Sequence, residues 1–172
     1  MPKPPKIRTP DRTRRALAAL FATALAGGAI AAAPDLLPPE RAFAFSARGL
    51  DPSTVEVRFV VANGYYLYRE KIKFSVEPDP VSGVPAFPAG KLKDDAFFGR
   101  VETYRGEFVV RLPLERPAGG SLVTVKAESQ GCADIGVCYP PQVQHVTLAL
   151  PASGAPPGTI VESSPAKKGW FQ

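Results

Sequence analysis

"TVEVRFVVANGYYLYREKIKFSV", Thr54 to Val76, carries the plainest structural signal in this 172-residue chain. Its first half sets Val55, Val57, Phe59 and Val61 at every second position, the period at which strand side chains return to one face. Asn63-Gly64 follows, a dipeptide suited to the positive backbone angles of a tight hairpin turn. The run from Tyr65 to Val76 is rich in aromatic and β-branched residues, which fit a pleated, half-buried surface. The stretch therefore reads as strand, turn, strand. Within the second strand Tyr66 and Tyr68 share a face, and Tyr65 points the opposite way.

The same alternation recurs on both sides. "RAFAFSAR" (Arg41–Arg48), "EFVVRLPL" (Glu107–Leu114), "SLVTVKAES" (Ser121–Ser129) and "VQHVTLAL" (Val143–Leu150) read as further strands, separated by Arg105-Gly106, Gly119-Gly120 and several prolines. Beyond the first thirty residues no long amphipathic helix and no internal repeat is legible. Short strands with turns between them predict an all-β fold, an immunoglobulin-like antiparallel β-sandwich. The Cys…Trp…Cys pattern of antibody domains is missing, since the single tryptophan is Trp170. Two segments do not read as strands. Pro78–Glu102 is long, rich in proline and glycine, and carries Phe97-Phe98-Gly99 near its end, which predicts a functional loop. Pro151–Gln172 has the composition of a flexible linker or tail.

The N-terminus has a different character. A basic leader, "MPKPPKIRTPDRTRR", precedes the apolar run Ala16–Ile30 and the small residues around Ala29 and Ala31. This is the plan of a secretory signal peptide, and the apolar run is too short and too rich in Ala and Gly for a good membrane span. Arg14-Arg15 also permits a twin-arginine export route. The expected organisation is a signal peptide over 1–31, one domain over 32–150 and a tail over 151–172. The leader also holds the charge: it carries six Lys/Arg and one Asp, leaving 15 Lys/Arg against 15 Asp/Glu in the remainder. A near-neutral domain without a basic stripe is not a nucleic-acid binder.

The two cysteines, Cys132 and Cys138, fall in "SQGCADIGVCYPPQ" (Ser129–Gln142). A zinc site needs more His or Cys partners than the sequence offers, and the sole histidine, His145, lies in an alternating strand as an ordinary strand residue. A copper site built from Cys132, Cys138 and His145 is conceivable on ligand type alone. A structural disulfide is a serious alternative, although closing so short a loop contributes only about 2–3 kcal/mol. A domain of this length does not need the staple to fold. Export to an oxidising compartment suits a structural bond and a redox couple equally. The small ring, turning at Gly136 and stiffened by Pro140-Pro141, tips the reading toward a reducible bond.

"QGCADIGVCYPP" resembles, nearly residue for residue, the redox motif of the N-terminal periplasmic domain family of the thiol:disulfide interchange protein DsbD. "RAFAFS", "NGYYLYREKIKF" and "DDAFFGRVETYRGEFVVRLPL" match that family in the same order, so that the resemblance covers about Leu37 to Leu150. It implies an immunoglobulin-like fold with a long cap loop. It also implies a protein-disulfide reductase module whose cysteine couple relays electrons, without metal or organic cofactor, from a thioredoxin-like reductant domain to periplasmic thiol-disulfide oxidoreductases. A membrane-domain continuation or partner beyond Gln172 would belong to such a relay. By motif position Cys138 forms the mixed disulfide and Cys132 resolves it. Phe97, with its neighbour Phe98, falls at the cap aromatic; Asp95 matches an acidic cap residue; Tyr66 and Tyr68 line the redox site. Ala96 departs from the pattern, standing where a second acid is expected. The alternative of a different class is a non-enzymatic β-sandwich interaction module with an inert structural disulfide.

Overall fold

The computed structural model describes residues 35–78, 81–96, 98–115 and 122–163. The leader, Phe97 and the last nine residues therefore lie outside the described residues. A single helical turn, α1 (Pro39–Ala42), opens the described chain with proline in its first turn, where a missing N–H costs nothing. Strands β1 (Phe43–Asp51), β2 (Thr54–Val61) and β3 (Tyr65–Tyr68) follow, then a 3-10 turn (Arg69–Lys71) and β4 (Lys73–Glu77). Next come β5 (Lys91–Asp95), β6 (Gly99–Tyr104), β7 (Gly106–Pro113), β8 (Leu122–Ser129), β9 (Gly131–Ala133), β10 (Gln142–Ala149) and β11 (Val161–Glu162).

All named pairings are antiparallel. One sheet runs β11-β1-β2-β7, a second β10-β8-β4, and a third β5-β6-β3-β9. The first two face each other in the predicted sandwich. Phe45, Val57, Phe59, Val110 and Leu112 of one sheet bury against Val76, Val125, Val146 and Leu148 of the other. These are the alternate residues of the sequence pattern, so the period-two signal defined the core directly. The third sheet carries Cys132 in β9, and Cys138 lies beside it in an isolated bridge. Stacked rings connect this sheet to the core: Phe59 on Phe108, Phe108 on Tyr104, and Tyr104 on Phe87.

Four features depart from the sequence reading. The Tyr65–Val76 run is two strands in two sheets, because Arg69-Glu70-Lys71 interrupts it with charged side chains that stay out of the core while the chain crosses over. The first strand begins at Phe43 rather than Arg41, behind the proline-led turn. The expected loop over Pro78–Glu102 contains a β-hairpin, β5–β6, with Asp95 paired to Gly99 across its tip. Strand β5 is charged, mostly exposed and at a sheet edge, so it lacks the apolar alternation by which strands are read. Finally, the segment after Leu150 is partly tied down: the Gly158 N–H donates to the Gly49 carbonyl at 2.8 Å, and β11 adds to the edge of β1.

Candidate redox site

The site is built where β3, β9 and the β5–β6 hairpin meet. Strand β9 has three residues, and its middle one, Cys132, lies opposite Tyr66 of β3. After Ala133 the chain turns through Asp134–Val137, closed by the Ala133 N–H on the Val137 carbonyl at 2.8 Å. It returns so that Cys138 faces Cys132 in an isolated antiparallel bridge, with the two sulfurs joined as a disulfide. The two ends of this bond differ sharply in access. Cys132 is fully buried, whereas Cys138 is exposed.

Tyr66 and Tyr68 point to the same side of β3 and, with Val101 and Cys132, make a small buried cluster apart from the main core. Tyr65 goes the other way, into the sandwich core. The Tyr68 hydroxyl lies 3.2 Å from Sγ of Cys132 and 2.9 Å from Oδ2 of Asp95. Tyr66 donates to the same carboxylate oxygen at 3.2 Å, and the Lys93 ammonium reaches it at 2.9 Å. The Asp95 side chain is only 2% exposed, so this set of donors is what allows a carboxylate to sit there. Burial, followed by the neighbouring Tyr66 and Asp95, pushes the Tyr68 phenol far above its ordinary range, and it stays protonated as a donor. The Asp95–Lys93 contact likewise raises the Lys93 ammonium, keeping it charged.

Two cationic side chains lie over the Tyr66 ring, Lys93 at 4.8 Å and Arg105 at 5.0 Å from its centroid. Arg105 also grips Asp134, inside the cysteine loop, through two hydrogen bonds of 3.0 and 2.5 Å. That pairing holds the Asp134 carboxyl below its usual range and fastens the loop to the β6–β7 turn. On the cap, Phe98 is 44% exposed, with its ring edge-on to Tyr68 at 5.1 Å and the Lys71 ammonium 4.6 Å from its centroid. Phe97 lies outside the described residues. The exposed Ile135 and Val137 flank Cys138 within its loop.

The structure thus brings together Cys132, Cys138, Tyr66, Tyr68, Asp95 and Phe98. Sequence reasoning missed Lys93 and Arg105. The signal for Lys93 was its position two residues from Asp95, which places both on one side of β5; for Arg105 there was none before β6 was recognised. Ala96 is exposed, so its missing carboxylate leaves no buried gap. Among the described residues no group of three or more His, Cys, Asp or Glu side chains is placed to hold a metal ion.

A disulfide with one sulfur open to an incoming thiolate and the other held against a phenol donor, on an antiparallel β-sandwich, defines a thiol–disulfide exchange domain. Residues 33–150 match the family described as "Thiol:disulfide interchange protein DsbD, N-terminal". The chain belongs to that family. It is 46% identical over 136 residues to the thiol:disulfide interchange protein DsbD of Ralstonia nicotianae, an alignment covering 77% of this chain and 22% of that protein. A Neisseria meningitidis DsbD is 44% identical over 109 residues, covering 63% of this chain and 18% of that one. The chain thus spans about a fifth of the length of these relatives. The solved N-terminal domain of Neisseria meningitidis DsbD in its reduced form superposes with a TM-score of 0.65 at 35% identity, covering 76% of this chain and 97% of that one. The same domain in complex with the PilB N-terminal domain gives 0.57 at 39% identity, covering 67% and 88%. Membership in a family of thiol:disulfide interchange proteins disfavours the inert-staple alternative.

Proposed function

We propose that this domain is the periplasmic entry-and-exit point of an electron relay. A thioredoxin-like partner reduces the Cys132–Cys138 disulfide, and the resulting dithiol reduces periplasmic thiol-disulfide oxidoreductases. The observation that carries the assignment of roles is the difference in access between the two sulfurs. A partner thiolate attacks Cys138 Sγ, a mixed disulfide forms there, and Cys132 leaves as a thiolate into a pocket where Tyr68 can donate to it. The partner's second thiolate then attacks its own sulfur of the mixed disulfide and expels Cys138, so that two electrons and two protons end on the pair and the partner leaves as a disulfide. In the forward direction the Cys138 thiolate attacks the client disulfide, and Cys132 displaces the client and closes the ring. The existence of a complex between the Neisseria meningitidis relative and a PilB N-terminal domain supports docking of another protein on this domain. Asp95, Tyr66 and Tyr68 act as the wall of the leaving-group pocket. Phe97 and Phe98 act as its cap, which a docking partner displaces. Export by a cleaved signal peptide, and attachment of the domain to a membrane-embedded electron carrier beyond Gln172, complete the reading.

The test is trapping. With Cys132→Ser the reduced domain should accumulate a mixed disulfide with a thioredoxin-like partner, and with Cys138→Ser little should form. The reverse pattern overturns the roles. A wild-type reduction potential below about −300 mV, the range of structural bonds, overturns the relay itself.

A further inference from the structure

Cys132 and Cys138 are held by different means. Cys132 sits in the middle of β9, paired to Tyr66, and the residue before it, Gly131, is packed against the Phe43 ring. Cys138 belongs to no named strand, and on the exposed side its loop is fastened at Asp134, four residues before it, by Arg105. The other side of Cys138 is held through the next residue, Tyr139, which carries four tethers. The Tyr139 N–H donates to the Gly131 carbonyl at 2.9 Å, and its carbonyl accepts from Gln130 Nε2 at 3.2 Å. Its ring packs edge-on against Phe43 at 5.4 Å. Its hydroxyl donates to the Leu37 carbonyl at 2.6 Å.

The last tether is unusual in its partner. Leu37 precedes the first strand and belongs to no sheet, yet its N–H also donates to the Tyr65 hydroxyl at 2.9 Å. One residue is therefore gripped by phenols through both its N–H and its carbonyl, one phenol next to Cys138 and the other on the strand that faces Cys132. We infer that Leu37, Tyr65 and Tyr139 form a latch that positions Cys138 for ring closure, so that the pre-strand segment is a working part of the redox site.

The inference rests on the relay reading of the cysteine pair. Consider glutathione as the probe. Its thiolate attacks Cys138 Sγ, the Cys132–Cys138 bond breaks, and Cys132 leaves as a thiolate that takes up a proton. A second glutathione thiolate then attacks the glutathione sulfur of the mixed disulfide, releasing Cys138 as a thiol and glutathione disulfide, with two electrons transferred to the protein. In the reverse step the Cys132 thiolate attacks Cys138 Sγ and expels glutathione thiolate. Closure requires both sulfurs in place at once. The latch therefore favours the disulfide over the open forms, and its loss moves the balance toward the dithiol.

Tyr139→Phe and Tyr65→Phe each remove one hydroxyl and keep the ring that fills the core. In a glutathione redox buffer, Tyr139→Phe should move the equilibrium toward the dithiol by about five- to tenfold, the size of one ordinary hydrogen bond; a tenfold change corresponds to about 30 mV. Closure of the glutathione mixed disulfide at Cys138 should slow by a similar factor. Tyr65→Phe should act in the same direction, and the double variant should show less than the product of the two, because both break one latch. A purely structural hydroxyl would lower the melting temperature of both redox states alike and leave the equilibrium where it was. Unchanged equilibrium and closure rate in both variants would overturn the latch. A wild-type domain that exchanges with neither glutathione nor a thioredoxin-like protein would instead overturn the relay reading.

Discussion

Replacing Gly131 by alanine puts a methyl group where the structure has no room for one. A Cβ built there lies 2.2 Å from the Tyr66 carbonyl oxygen and 2.8 Å from two carbons of the Phe43 ring. Neither obstacle can swing aside. The oxygen belongs to the backbone of the paired strand β3, and Phe43 is 1% exposed and wedged between Tyr65 and Tyr139. Gly131 is not among the glycines with positive φ, so alanine brings no backbone strain of its own. Its smaller unfolded-state entropy would by itself stabilise by about 0.4–1 kcal/mol. Overpacking a filled site costs about 1–3 kcal/mol and sometimes more, and two immovable neighbours place this case at the upper end. The net loss is then about 2 kcal/mol or more, which for a domain of this size lowers the melting temperature by roughly 5–10 °C. Because β9 must move away from β3, the displacement falls on Cys132 and its cover, and reduction by dithiothreitol should become faster. Gly158→Ala is the control: its nearest neighbour is 3.6 Å away, an ordinary contact, and it should melt with the wild type. Thermal denaturation of the oxidised proteins decides the matter. A Gly131→Ala variant melting within two degrees or so of wild type would show that β3 and β9 part easily and that the redox strand is not tightly fitted.

Tyr68→Phe removes a hydroxyl that touches both Asp95 and Cys132, and should cost about 1.5–3 kcal/mol of stability, the range for a hydrogen bond to a charged group. It should also slow reduction of the disulfide, since the departing Cys132 thiolate loses its donor; stopped-flow reduction alongside denaturant titration separates the two effects. Asp134→Asn breaks the charged pair with Arg105 while keeping the shape of the side chain. The Asp134 carboxyl is lowered in the folded protein, so the stability this pair contributes is present above the unfolded carboxyl's ordinary pKa and lost as pH falls through the folded value. Because the Asp134 side chain is 47% exposed, the difference between wild type and variant should be only about 0.2–1 kcal/mol at neutral pH. It should disappear on acidification below the usual carboxylate range; a difference that grows there would reverse the assignment.

How far the sequence disclosed the molecule follows from where apolar alternation operates. Strands β1, β2, β7, β8 and β10 each turn one face to the sandwich core, and their alternate Val, Phe and Leu residues announced them. Strand β5 has no such face, since Lys91, Leu92 and Asp94 are exposed and only Asp95 is buried, so backbone pairing with β6 defines it. Strand β9 is too short to show any period. The Tyr65–Val76 run carried strand propensity throughout, and propensity cannot tell one strand from two when the sheet changes midway. At the redox site, residue types and motif position pointed to Cys132, Cys138, Tyr66, Tyr68 and Asp95. The long-range partners Lys93 and Arg105 depend on the hairpin and its following turn, and the Leu37 contact spans 102 positions along the chain.

The same geometry bears on how a disulfide can be reactive and protected in one domain. Burial alone would protect both sulfurs and forbid exchange, because the attacking thiolate must approach one of them in line with the bond. Exposure alone would leave the departing sulfur solvated and the pair indiscriminately reactive. Here the two requirements are divided between the two residues. The β3–β9 pairing and the Asp95–Tyr68 contacts set Cys132 in a closed pocket whose nearest donor is a phenol that does not ionise near neutral pH. The turn from Asp134 to Val137 brings Cys138 to the surface, with Arg105 fastening that turn from outside. In the proposed exchange, attack at Cys138 carries the developing negative charge to the buried sulfur, 3.2 Å from the Tyr68 hydroxyl, whose single proton can turn from Asp95 toward it. Attack at Cys132 has no approach at all. In the proposed relay the direction of bond breaking follows from this difference in access between the two sulfurs.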